Sequence, residues 1–198
     1  DMFNGRGTTG LTSLHLGRRF IGFHIDEYAY KETKRVIEDH VETTPDRWKL
    51  YLEDGCEMNS LKDKSEYVDA VFTSPPYFGQ VEPYNNDPRD LCNMSIKDFE
   101  NRIDVMFGNL KRLIKTSDHK NKKFYPMIFV VGTYRHGSEG IYDMDNSFQN
   151  IAKSHGLTLW DKQFLETNNP HLVCSLQRNY ELKMVHKNVE TSLVFVKF

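Results

Sequence analysis

No apolar run in this sequence approaches the roughly 18 residues that cross a bilayer, and no leader-like pattern opens it. Neither a membrane span nor a secretory signal is therefore expected. Cysteine is scarce. Cys56, Cys92 and Cys174 are odd in number, far apart and in no metal-ligand spacing, which suits a reducing, cytoplasmic setting. An excess of positive charge is also missing: 26 Lys and Arg stand against 28 Asp and Glu, a net charge of −2. A free-standing DNA binder is usually more basic. Any grip on nucleic acid must be local or supplied by a segment not present here. The local candidate is Lys111, Arg112, Lys115, Lys120, Lys122 and Lys123, although such a run more often is a solvated helix end and loop. Internal repeats and low-complexity tracts are absent.

What is present is one domain's worth of alternating apolar patterns. The 198 residues suffice for one α/β domain with a real core and are too few for two large ones. Strands are predicted over Arg19–Ile25, Trp48–Leu52, Val68–Thr73, Met127–Val131, Leu157–Leu165 and Thr191–Lys197. Helices are predicted over Thr8–Leu16, Glu27–His40, Ile96–Ile114 and Ser147–His155, the last stopped by Gly156. The helix from Ile96 carries Phe99, Ile103, Met106, Phe107, Leu110, Leu113 and Ile114 at helical spacing. Strand–helix alternation predicts a mostly parallel sheet covered by helices on both faces, with ligands bound outside the carboxyl ends of the strands.

Three constellations fall at such ends. Gly5, Gly7 and Gly10 form G-x-G-x-x-G before a predicted helix, a pattern that lets backbone approach an anionic ligand or simply makes a turn. No strand precedes this loop, although a doubly wound sheet needs one there; residues upstream of Asp1 or another chain are expected to supply it. Asp26 follows the first strand, where a ribose acceptor is placed in such folds, and Glu53-Asp54-Gly55 follows the second. Asp26 also reads as a helix N-cap and Asp54 as a turn aspartate. The third is Thr73-Ser74-Pro75-Pro76-Tyr77. Two prolines after a strand end it and stiffen the backbone, which makes either a rigid turn or a catalytic loop. An exocyclic base amine is a poor nucleophile because its lone pair is delocalised. A fixed hydroxyl and a fixed carbonyl that accept its hydrogens aim that lone pair at an electrophile. A base removed from its duplex also needs an aromatic face, and Tyr77 or Phe78 suits that task.

Taken in order, Asp1 to Thr9 resembles the D-P-F-x-G-S-G-T-T signature of the DNA amino-methyltransferases, and Ser74 to Tyr77 resembles their catalytic S-P-P-Y. Phe20 to Asp26 is similar to the family's F-I-G-I-E-I-D, Val130 to Arg135 to its V-V-G-D-x-R, and Leu193 to Lys197 to its terminal strand. Met2, Arg6, His24 and Thr133 depart from the pattern, His24 and Thr133 standing where the family has acids. The resemblance implies a Rossmann-like methyltransferase fold in a single domain, with a reversed strand near the C-terminal end. It implies S-adenosyl-L-methionine as cofactor, contacted by Asp1, Phe3, Gly5, Gly7, Thr8, Thr9, Asp26, Asp54 and Thr73. It implies Ser74, Pro75, Pro76 and Tyr77 as catalytic residues and DNA as partner. The serine favours cytosine N4 over adenine N6 as target. Sequence choice would come from missing residues, a partner chain, or short loops such as Gln80 to Leu91. A fold of this type that binds nucleic acid or a partner without catalysing is the alternative of another class.

Overall fold

A computed structural model describes residues 1–76, 86–135, 141–166 and 189–198. The elements run α1 (Thr8–His15), β1 (Phe20–His24), α2 (Glu27–His40), β2 (Trp48–Leu52), β3 (Val71–Thr73), α3 (Ile96–Leu113), β4 (Met127–Val131), β5 (Thr133–Arg135), β6 (Ile141–Asp143), α4 (Met144–Ser154), β7 (Thr158–Glu166) and β8 (Val189–Val196). β1 pairs in parallel with β2, and β3 with β4. β8 runs antiparallel between β4 and β7, giving the order β3-β4-β8-β7. This is the α/β architecture with a reversed strand near the C-terminus that the sequence predicts. No described helix is long and apolar enough to cross a membrane.

The β1–β2 pair and the β3-β4-β8-β7 sheet meet at Asp1. Its nitrogen donates to Ile21 O at 2.9 Å, and Phe23 N donates to its carbonyl at 3.2 Å, the bonding pattern of one parallel bridge to β1. On its other side the Asp1 carboxylate accepts Thr73 Oγ1 at 2.7 Å, at the end of β3.

Local signals set most boundaries. Asp26 caps α2 by accepting Ala29 N at 3.0 Å, and Ser95 caps α3 by accepting Asp98 N at 3.2 Å. α4 starts three residues earlier than its apolar pattern predicts because Asp143 accepts Asn146 N. β3 is shorter than predicted: Val68 leaves the sheet line to bridge Ile114, bonding to Leu113 O and Lys115 N. The hairpin β5–β6 is an addition that apolar periodicity did not signal.

The core sits where α3 and α4 cover β4 and β8. Alternate residues of β4, Met127, Phe129 and Val131, are buried, and α3 buries Phe99, Ile103, Met106, Phe107, Leu110 and Leu113. Phe107 is the hub, with ring centroids 5.0 Å from Phe129 and 5.7 Å from both Phe148 and Phe195. Phe107→Ala should cost about 3–5 kcal/mol, the usual cost of emptying an aromatic core position. Urea unfolding checks it, and a loss under about 1 kcal/mol would mean that the core closes over the gap.

Candidate functional site

The carboxyl ends of β1 and β3 and the loop before α1 enclose a cavity of about 260 Å³. The loop reaches it by two left-handed glycines, Gly5 (φ 50°) and Gly7 (φ 86°). A Cβ on Gly7 would come within 2.7 Å of Thr33 Cγ2, so α2 packs directly on the loop. Gly55, after β2, abuts the carbonyl of Met2 so closely that any side chain there would collide with backbone.

Of the residues the sequence selects, Phe3, Gly5, Asp26, Asp54, Ser74, Pro75 and Pro76 share the wall of this one cavity. Asp1 and Thr73 stand behind the wall, bonded to each other. Gly7, Thr8 and Thr9 belong to the start of α1 and do not line the cavity; Arg6 is exposed. Tyr77 lies outside the described residues. The wall also includes Asn4, His24, Arg89 and Asp90, which the motifs did not select as site residues. Their signal was weak: Asn4 occupies a variable motif position, and Arg89 and Asp90 fall in no motif.

Asn4 and His24 form the most informative pair. Asn4 Nδ2 lies 2.8 Å from His24 Nε2, and both residues are buried. Burial pushes the His24 imidazole down to about 4, against a smaller upward pull from Asp26, so the ring is neutral at physiological pH. With Nε2 accepting, the ring proton resides on Nδ1. Asn4 Oδ1 is then a buried acceptor with no partner among the described residues. An orphaned acceptor on a cavity wall costs free energy unless a ligand donor meets it. A ribose hydroxyl or an α-ammonium group is such a donor, so the donor set fits S-adenosylmethionine even though the customary acid is absent.

Asp26 divides its carboxylate: Oδ1 caps α2, and the residue lines the cavity. Asp54 is buried and held on both oxygens, Oδ1 by Cys56 N at 2.8 Å and Oδ2 by the Arg102 guanidinium from α3. Arg102 also donates to Glu57 Oε1 at 2.6 Å. Each Asp54 oxygen retains a second lone pair, so a ligand amine can still be accepted. Ser74 Oγ donates to Val130 O at 3.1 Å. Its hydrogen is thereby directed into the sheet, and its lone pairs are left for the cavity. Arg89 is fixed by both oxygens of Asp87, whose carboxyl the guanidinium holds down to about 2. Neither described cysteine lines the cavity, and burial raises the Cys56 thiol and pushes Cys92 up to about 12. Thr133, in the place of a family acid, lies 3.4 Å from Asp143 Oδ1 on the neighbouring strand.

Solved structures place this architecture. A SAM-dependent methyltransferase of Methanosarcina mazei aligns over 98% of this chain and 89% of its own, at 10% identity and TM-score 0.62. The cyclopropane synthase MmaA2 of Mycobacterium tuberculosis aligns over 100% of this chain and 76% of its own, at 11% identity and TM-score 0.57. The chain has the fold of the S-adenosylmethionine-dependent methyltransferases. A Thermus thermophilus protein provisionally named a DNA modification methylase aligns over 72% of this chain at 17% identity and TM-score 0.49; this chain spans about half of its length. No known family profile matches the sequence, and no curated protein sequence is detectably similar. Enzymes of different chemistry share the fold, so the substrate must be argued from the site.

Two outcomes follow from this geometry. A histidine buried in its neutral form makes folding less favourable as pH falls from its unfolded value, 6.5, towards about 4. Thermal stability should therefore decline as pH falls through that window, and His24→Gln should flatten the decline; an unchanged profile would mean that His24 is not buried neutral. Asp54→Ala should cost about 1–3 kcal/mol because it leaves the buried Cys56 N–H without its acceptor and takes one of two carboxylates from Arg102. Replacing both, as Asp54→Leu with Arg102→Met, should recover only the Arg102 part of the loss in denaturant unfolding.

Proposed function

We propose that this chain transfers a methyl group from S-adenosylmethionine to the exocyclic amine of a base in DNA, with cytosine N4 the first choice and adenine N6 the second. The observation that carries the reading is that Ser74, Pro75 and Pro76 face the same cavity as the glycine loop, Asp26 and Asp54. A cofactor site and a rigid serine–proline loop thus open onto one space.

Phe3, Gly5 and Asn4 would hold the cofactor from the loop, with Asp26 and Asp54 accepting from its ribose and its adenine amine. When bound, S-adenosylmethionine supplies an electrophilic methyl carbon on a sulfonium. The chain's own residues do the rest by orientation. Ser74 gives its hydrogen to Val130 O, so its oxygen can only accept, and it accepts one hydrogen of the base amine. Pro75, buried, and Pro76, half-buried, fix the backbone carbonyls of this loop so that one can accept the other hydrogen. Both bonds hold the amine in one rotational state and concentrate its lone pair towards the methyl group. The hydrogen that the methyl group replaces leaves as a proton to solvent. Tyr77 follows directly in sequence and supplies the ring face on which an extruded base stacks.

The experiment is incubation with methyl-labelled S-adenosylmethionine and unmethylated DNA, followed by digestion to nucleosides. N4-methylcytosine supports the first reading and N6-methyladenine the second; label in neither, with the cofactor bound, leaves the non-catalytic alternative. Ser74→Ala should slow single-turnover methyl transfer on the order of 10²-fold while cofactor affinity stays within about twofold, because the hydroxyl is spent on the base. A full-rate variant removes Ser74 from the mechanism.

A further inference from the structure

The opposite end of the sheet carries a second surface, formed by the segment that leads into β4. Asp118 and Lys123 pair as a short antiparallel bridge. The turn is anchored by Ser117 N donating to Lys197 O at 2.7 Å and Tyr125 N donating to Ser117 Oγ at 3.1 Å. It is therefore a built hairpin. Its tip presents Lys120, Lys122 and Lys123, all exposed. Lys115, close by in sequence, and Lys197, whose carbonyl anchors Ser117, are paired with Asp69 and Glu66, and Arg112 is spent on the carbonyls of Leu61 and Lys64. Lys120, Lys122 and Lys123 form no ion pair among the described residues. Lys122 holds a left-handed backbone (φ 53°), where glycine or asparagine would sit with less strain.

Rings adjoin these lysines. Trp160 occupies a β-bulge between Leu159 and Asp161 on the edge strand β7, which re-aims its side chain. Its centroid lies 5.1 Å from Phe124, 5.7 Å from His119 and 5.6 Å from Phe198. Trp160 and Phe124 remain 46% and 40% exposed. The carboxylates next in sequence are satisfied locally, Asp118 by Asn121 and Asp161 by Gln163.

We propose that this hairpin and the Trp160 cluster bind single-stranded nucleic acid, at a site separate from the catalytic cavity. Three exposed lysines with no ion pair among the described residues, beside half-exposed rings, suit a ligand that alternates phosphates with unstacked flat bases. A duplex hides those base faces. A second copy of this chain would bring three more lysines against the first three. The proposal does not depend on the reaction proposed above.

The test is fluorescence anisotropy of a labelled oligothymidylate with the full chain and no cofactor, across a salt series. Trp160→Ala should weaken binding roughly tenfold, the size of one base–aromatic stack, and Trp160→Phe should restore most of it. Lys120→Ser with Lys123→Ser should lower the slope of log affinity against log salt by about 0.7 per lysine. Both variants should keep wild-type affinity for S-adenosylmethionine, so this proposal and the methyl-transfer reading fail independently. Undiminished oligonucleotide binding by both variants would overturn it, as would no binding by the wild type. Competition by inorganic polyphosphate or anionic vesicles as strong as that by the oligonucleotide would overturn it by removing the role of the rings. A Trp160-dependent dimer in sedimentation, without oligonucleotide binding, would reassign the surface to self-association.

Discussion

The Asp1 carboxylate is the constraint on which the site depends. One oxygen accepts both Phe3 N and Thr73 Oγ1, while the backbone of the same residue bonds to β1 through Ile21 and Phe23. That single residue fixes the glycine loop relative to both sheets. Because β3 ends at Thr73, it also fixes where Ser74 begins. The cavity is a consequence: its two walls, one carrying Phe3 and Gly5 and the other Ser74 and Pro75, meet at this junction.

A second constraint is electrical. Where the resembling family places an acid, this chain places a neutral imidazole against a neutral amide. A carboxylate there would be a strong acceptor with a charge to keep solvated. The Asn4–His24 pair offers a single acceptor atom without burying a charge. Which amide atom Asn4 offers to a ligand is set by which ring nitrogen of His24 holds the proton. Charge is instead concentrated one layer back, where Arg102 joins Asp54 to Glu57 and ties α3 to the loop after β2. The site floor is therefore rigid through an ion pair, while the ligand-facing wall near β1 is uncharged at Asn4 and His24.

Much of this was legible in the chain. Trp48–Leu52, Met127–Val131 and Glu27–His40 have the bounds their periodicity predicts, and the buried face of α3 is the one its spacing marks out. Asp26 is a helix N-cap and also a cavity residue, so its two sequence readings are compatible. Thr8 and Thr9, matched by motif, do not line the cavity, because Gly7 turns the chain into α1 before they could reach it.

The sequence by itself determined most of the succession of strands and helices, the apolar faces and the strand ends onto which the cavity opens, because these follow from short-range periodicity and from glycine and proline stereochemistry. Only the tertiary structure decided which polar atoms meet. His24 lies 20 residues from Asn4, Arg102 48 residues from Asp54, and Val130 56 residues from Ser74. Within one basic sequence patch it likewise set Arg112 and Lys115, already engaged, apart from Lys120, Lys122 and Lys123, which form no ion pair among the described residues and adjoin the Trp160 cluster. Hydrogen bonds and ion pairs act over a few ångströms between groups far apart in the chain. They exist only once the packing of α3 on β4 and of the glycine loop on β1 has brought those groups together.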